Sequence, residues 1–187
     1  MIKNIVPRFT LLFILFIFLF NTQKLEASWK PAQEGNKIIL IRHALAPGTG
    51  DPIGFEVDDC STQRNLNQVG IDQSKNIGKL FKKNKVLIDQ VLSSQWCRCK
   101  DTAKYAFKEY KEFSALNSTF QSSDVEKKKK QIKKLKYFIE NWNGNGGNLI
   151  LVTHYIVITS LTDAVPQSGE IVIIDKNLNV LGTIPTN

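Results

Sequence analysis

Two histidines and two arginines stand where an α/β protein would do chemistry. The chain holds only two histidines, and each closes an apolar run: Ile38-Ile39-Leu40-Ile41-Arg42-His43 and Leu149-Ile150-Leu151-Val152-Thr153-His154. Continuous apolar runs suit strands covered on both faces, the habit of parallel sheets. Strands that end in ionisable residues deliver them to the carboxyl edge of the sheet, where open α/β folds take their ligands. Arg98 falls in the first turn of a predicted helix that leaves the same edge. Two guanidiniums offer paired donors and a permanent charge to a tetrahedral oxyanion. A neutral imidazole between them could attack phosphorus and carry the phosphoryl group covalently. The second imidazole could stabilise charge developing on the transferred oxygens.

The elements that must position these residues follow from periodicity. Strands are predicted at 37–41, 86–92 and 149–152, with a final pair at 170–175 and 180–184. Helices are predicted at 68–83, at 95–110, over the lysine-rich stretch ending at Trp142, and at 155–163. Asn67 is placed to cap the first, whose Val69, Ile77, Leu80 and Phe81 share a face. Gly78 inside that helix predicts a close approach to a neighbour. Cys99, Ala103, Ala106, Phe107 and Tyr110 form the buried stripe of the next helix. Residues 112–116 read as a short extended piece. Residues 44–66 are rich in turn formers and read as a loop covering the site. The alternation makes an α/β domain with a mixed sheet, a single domain over residues 28–187.

Residues 1–27 stand apart. Lys3 and Arg8 precede an apolar stretch at 11–20, and a polar segment leads to Leu25-Glu26-Ala27. This is the order of a secretory signal peptide, with cleavage expected after Ala27. The apolar stretch falls short of the about 20 residues of a membrane span; an uncleaved N-terminal anchor is the alternative. The expected location is therefore secreted or periplasmic, in a bacterial envelope. Membrane contact is expected only through that segment, if it stays.

Export lets disulfides persist. Cys60, Cys97 and Cys99 leave one bridge and one thiol. Residues two apart on a helix do not face each other, so Cys60 is expected to pair with Cys97 or Cys99. Such a bridge contributes roughly 3–4 kcal/mol on the chain-entropy view. Three small buried hydrophobes is the plainer reading.

The formal charge is +8 over 187 residues, 42% of them hydrophobic and 22% charged. Residues 1–27 hold three bases against one acid, so +6 belongs to residues 28–187. Seven lysines crowd the stretch from Lys127 to Lys136, where Ile132, Leu135, Phe138, Ile139 and Trp142 recur at helical spacing. The lysines therefore read as the wet face of an amphipathic helix. No groove-reading motif accompanies them, and no nucleic acid is expected as a partner. Attraction to anionic lipid or polyphosphate is the other use of such charge.

In four segments the sequence resembles the histidine phosphatase (phosphoglycerate mutase-like) superfamily. Arg42-His43-Ala44 follows the first strand, where the family carries Arg-His-Gly. Leu66-Asn67-Gln68-Val69-Gly70 matches a Leu-Thr-x-x-Gly helix start. Ser93-Ser94 leads to Arg98 and Thr102-Ala103, and Val152-Thr153-His154 supplies the second histidine. The resemblance covers residues 37–175. It implies a three-layer α/β sandwich, mostly parallel, with helices on both faces. It implies His43 as the phosphorylated nucleophile, with Arg42, Arg98 and His154 completing the phosphate pocket. It implies no metal and no cofactor, and the cysteine and histidine spacings spell out no zinc site.

Two departures bear on mechanism. Ala44 replaces a glycine, a modest change where φ is negative. Many members carry a glutamate proton donor after the arginine helix, where Leu116 is here followed by Asn117 and Ser118. Other candidates for the donor are Asp58 and Asp59 on the loop, Asp51 before Pro52, and Glu170. Asp58 and Asp59 also suit loop caps. Arg64 could reach the substrate, although a solvated cation is its plainer reading. An alkoxide leaving group needs a proton badly, an acyl phosphate or phosphoramidate less so.

The expected activity is metal-independent hydrolysis of phosphomonoesters through a phosphohistidine. A mutase normally needs substrate-capping insertions that the 160 residues after cleavage have little room for. The expected substrate is a small phosphorylated molecule. By analogy with a related branch that carries Arg-His-Ala, it could also be a phosphate of an envelope glycolipid. A phosphate-binding or scaffold protein that lost turnover is the rival.

Overall fold

The computed structural model describes residues 28–186; the expected signal peptide lies outside the described residues. Six strands form one sheet: β1 (Ile38–Arg42), β2 (Ile88–Ser93), β3 (Lys111–Glu112), β4 (Asn148–Thr153), β5 (Ile171–Ile174) and β6 (Val180–Ile184). Their order is β3-β2-β4-β1-β5-β6. β3, β2, β4 and β1 run parallel, while β5 is antiparallel to both β1 and β6. Arg42 lies opposite Thr153 and Ser93 opposite Val152, so the three central strands end level.

The apolar runs of the central strands are buried on both faces, and their side chains alternate between two cores. Ile38, Leu40, Leu149 and Leu151 face one core. Ile39, Ile41, Ile150 and Val152 face the other. Helices α1 (Lys30–Glu34), α2 (Gln68–Lys83) and α3 (Cys97–Phe107) cover the second face through Ala32, Ile77, Phe81, Cys99 and Ala103. Helices α4 (Val125–Asn141) and α5 (Tyr155–Leu161) cover the first through Leu135, Ile139, Val157 and Ile158. The result is the expected three-layer α/β sandwich with a mixed, mostly parallel sheet.

α2 starts where Asn67 accepts the Gly70 N–H at 2.9 Å. Its buried stripe is Gly70, Ser74, Ile77, Gly78 and Phe81. Val69 does not belong to it: the side chain is 60% exposed, because position 69 lies about 80° round the helix from 77. Gly78 is a point of backbone contact between helices. A Cβ there would stand 2.2 Å from the Ala106 carbonyl oxygen of α3. The stretch predicted as extended is instead the two-residue β3 and a 3-10 turn at Ser114–Leu116. That turn buries Ala115 and Leu116 beneath α4, and Gln131 holds it through the Ala115 and Asn117 carbonyls. Among the described residues no helix is long and apolar enough to cross a membrane.

Candidate active site

His43 extends β1 by one residue, its N–H donating to the Thr153 carbonyl at 2.9 Å. The side chain is buried, and Nδ1 lies 2.8 Å from the Ala44 carbonyl oxygen. A carbonyl only accepts, so Nδ1 carries the proton and Nε2 keeps its lone pair. Burial, then the charges of Arg98, Arg64 and Arg42, push the imidazole pKa down to about 3, against the smaller pull of the Ala44 bond. The ring is therefore neutral, the form a nucleophile needs. Ala44 is not among the residues with positive φ, and its N–H donates to Thr102 Oγ1 at 2.9 Å. A glycine is not required there.

His154 follows β4 as His43 follows β1, and the two ring centroids are 5.5 Å apart. Its Nε2 meets Ser94 Oγ at 2.9 Å and Cys99 Sγ at 3.4 Å. Ser94 in turn donates to Asn117 Oδ1 at 3.2 Å, and the same oxygen accepts the Gln95 N–H. Burial first, then coupling to the neighbouring His43 ring and the charges of Arg98, Arg64 and Arg42, hold the His154 pKa well below the ordinary value. Burial also pushes the Cys99 thiol up to about 12, so it stays a neutral neighbour.

Arg98 makes a bidentate ion pair with Asp51, at 2.7 and 3.1 Å. Both side chains are buried. Asp51 also accepts the Trp96 indole N–H at 3.0 Å and the Arg64 backbone N–H at 3.1 Å. Burial alone would raise its carboxyl pKa, but the Arg98 bonds and charge, with the Arg64 and Trp96 donors, bring it below the ordinary value. Asp51 is thus ionised. Arg42 donates to the Pro166 carbonyl at 3.0 Å and lies over the Tyr155 ring. The Nε groups of Arg42 and Arg98 are buried without partners. Arg64 donates to the Gly50 carbonyl at 2.7 Å and to the Ala46 carbonyl. It is half-buried in the site, not the solvated cation of the plainer reading.

These groups line one cavity of about 180 Å³, shared with Gly48–Gly50, Ser118, Phe120, Gln121, Tyr155 and Ile156. Three guanidiniums face one carboxylate. The loop over it is pinned by a Cys60–Cys97 disulfide at the first residue of α3, and by Gln63, whose side chain accepts the Cys97 N–H at 3.0 Å. Cys99 is the free, buried thiol. Among the described residues no group of three or more His, Cys, Asp or Glu side chains is placed to share a metal ion.

No protein-family model and no curated protein matches the sequence. Solved structures match its shape. The protein histidine phosphatase SixA, solved with tungstate, superposes with a TM-score of 0.56 at 15% identity, over 80% of this chain and 97% of that one. A phosphoglycerate mutase from Thermus thermophilus gives 0.54 at 15%, over 81% and 99%. The fold is the histidine phosphatase, phosphoglycerate mutase-like fold. At these identities the likeness is one of fold.

In this histidine phosphatase fold the structure gathers Arg42, His43, Arg98, His154 and Arg64 at one sheet edge. Three of the proposed proton donors are not there. Asp58 and Asp59 are exposed, and Asp59 caps the 3-10 turn Cys60–Thr62 through the Ser61 N–H at 2.9 Å. Glu170 accepts the Gln167 N–H at 2.7 Å, within its own turn. Among the described residues only Asp51 supplies a carboxylate to the cavity, and Arg98 occupies it. Sequence reasoning missed Ser94 and Asn117 behind His154, and Tyr155 beneath Arg42. The first belongs to the Ser93-Ser94 signature and the last adjoins His154, so both were within reach.

Proposed function

We propose that this protein is an exported phosphatase that hydrolyses phosphomonoesters through a phosphohistidine on His43. The observation that carries the reading is the His43 ring: buried, neutral, with Nδ1 tied to Ala44 and the Nε2 lone pair free among three guanidiniums. A phosphate dianion fits that field, and the buried, unpartnered Nε groups of Arg42 and Arg98 are donors for it. The presence of tungstate, a tetrahedral oxyanion, in the SixA structure supports the same reading.

Nε2 attacks phosphorus as the bond from phosphorus to the leaving oxygen breaks, and that oxygen takes the electron pair. Arg42, Arg64 and Arg98 hold the three transferred oxygens as charge spreads over them, while His154 lines the pocket with its Nε2 turned to Ser94. Water then attacks the phosphohistidine, the P–N bond breaks toward His43, and orthophosphate leaves. The leaving oxygen must draw its proton from water, since Asp51 is ionised and engaged. Turnover should therefore depend steeply on leaving-group acidity. The test is a series of aryl and alkyl phosphates. Values of kcat/KM, which report the first step alone, that fall steeply as the leaving alcohol becomes less acidic support the reading; equal kcat/KM across the series would show that a proton donor acts on the leaving oxygen.

The Cys60–Cys97 bridge supports an oxidising compartment, in keeping with a secreted or periplasmic location. The substrate is a small phosphorylated molecule or an envelope glycolipid phosphate, and the leader anchors the chain to the membrane where it stays uncleaved. One observation favours a second reading, a non-catalytic phosphate-binding protein: Asp51 takes both terminal nitrogens of Arg98. Absence of turnover across a broad phosphate panel, with phosphate still bound, would select it.

A further inference from the structure

A second cavity of about 600 Å³ lies along α4 beside the first. The two share Ile156, and Thr119 of the second stands between Ser118 and Phe120 of the first. α4 lines it with Lys128, Lys129, Lys133 and Lys136. Lys129 pairs with Glu126 at 2.9 Å. Among the described residues no carboxylate lies within 4 Å of Lys128, Lys133 or Lys136. Among the described residues Glu140 is the groove's one carboxylate, and it pairs with none of them.

A solvated helix face needs polarity, not one sign of charge. α4 carries seven lysines against Glu126 and Glu140, and Lys129 and Lys133 set like charges at i, i+4 on the groove. Such a pair destabilises a helix, and an anion seated beside it removes the cost. Ile132, Tyr137 and Ile156 give the groove an apolar side, against which a sugar or acyl body can pack.

We infer that this groove is a second anion subsite of the catalytic pocket, so that the substrate is a phosphomonoester bearing at least one further anionic group. The inference rests on the phosphatase reading of the pocket. One phosphoryl group sits at His43, and the second anion lies on Lys133 and Lys136. A soluble bisphosphorylated sugar and a bisphosphorylated glycolipid headgroup share this chemistry.

The test compares KM for glucose 6-phosphate and glucose 1,6-bisphosphate. A parallel arm uses mono- and bisphosphorylated glucosamine-disaccharide lipids in detergent micelles. The bisphosphate should bind roughly fivefold or more tightly in at least one arm, and that arm names the source. Lys133→Gln/Lys136→Gln should erase the difference. Lys127→Gln/Lys130→Gln, which removes equal charge outside the groove, should keep it. No difference in either arm, or the same loss in both double variants, would overturn the subsite. Calorimetric binding of orthophosphate and the bisphosphates to the same proteins separates the two claims. A lysine-dependent preference without turnover keeps the subsite and removes the phosphatase reading; turnover without the preference does the reverse.

Discussion

Asp51 sets the electrostatics of the site more than any other acid. It lies 47 residues before Arg98 in the chain, yet both its oxygens meet that guanidinium. Removing one member of a buried pair leaves the other charge uncompensated, at a cost of about 3–5 kcal/mol. Asp51→Asn should therefore lower the thermal midpoint sharply. Added orthophosphate should restore more of it than it adds to the unmodified protein, because a new anion takes the place of the carboxylate. Melting curves with and without phosphate check this, and an equal phosphate effect in both proteins would contradict it. The four core residues were legible because each lies at the end of a strand or in the first turn of a helix, where local pattern fixes direction. Asp51 was legible only as a loop acid, since its partner is set by how a long loop folds back. Arg64 stays open in the sequence between a substrate contact and a solvated cation for the same reason, and the structure places it in the cavity.

At the scale of elements, capping and periodicity placed α2 within its observed limits, and Gly78 forecast the contact with α3. A glycine in an exposed helix loses about 1 kcal/mol relative to alanine. Here the order reverses, because an added Cβ would meet the Ala106 carbonyl at 2.2 Å, and backbone cannot yield as a side chain does. Gly78→Ala should destabilise the protein by about 1–3 kcal/mol, read as a lower denaturation midpoint with an unchanged slope. A gain in stability would mean that the helices do not cross so closely. β3 was legible only in outline. It pairs through two residues, and the turn after it is held by tertiary contacts of Gln131 that no local signal announces.

At the scale of the molecule, the sheet was legible because its central strands are apolar throughout, and the mixed order followed from the closing pair of strands. The two buried imidazoles make its stability depend on pH. His43 has its pKa pushed down to about 3, and His154 lies well below its ordinary value. Unfolded histidine titrates near pH 6.5. Between those limits the unfolded chain binds more protons than the folded one, so stability rises with pH. As pH falls below about 6.5 each histidine should cost about 1.4 kcal/mol per unit, continuing toward about 3 for His43. Asp51 adds to the loss below about 4, where an ordinary carboxyl takes up its proton. Thermal midpoints from pH 7 to 4 should decline, and less steeply in His43→Asn. A flat profile would mean that the rings are protonated in the fold.

The central claim is that His43 carries the phosphoryl group. Brief incubation with p-nitrophenyl phosphate, quenched in alkali and digested, should give one phosphorylated peptide containing His43, with the adduct lost in acid. His43→Ala should show neither the adduct nor turnover. Turnover retained in His43→Ala, or an adduct on any other residue, would contradict the account.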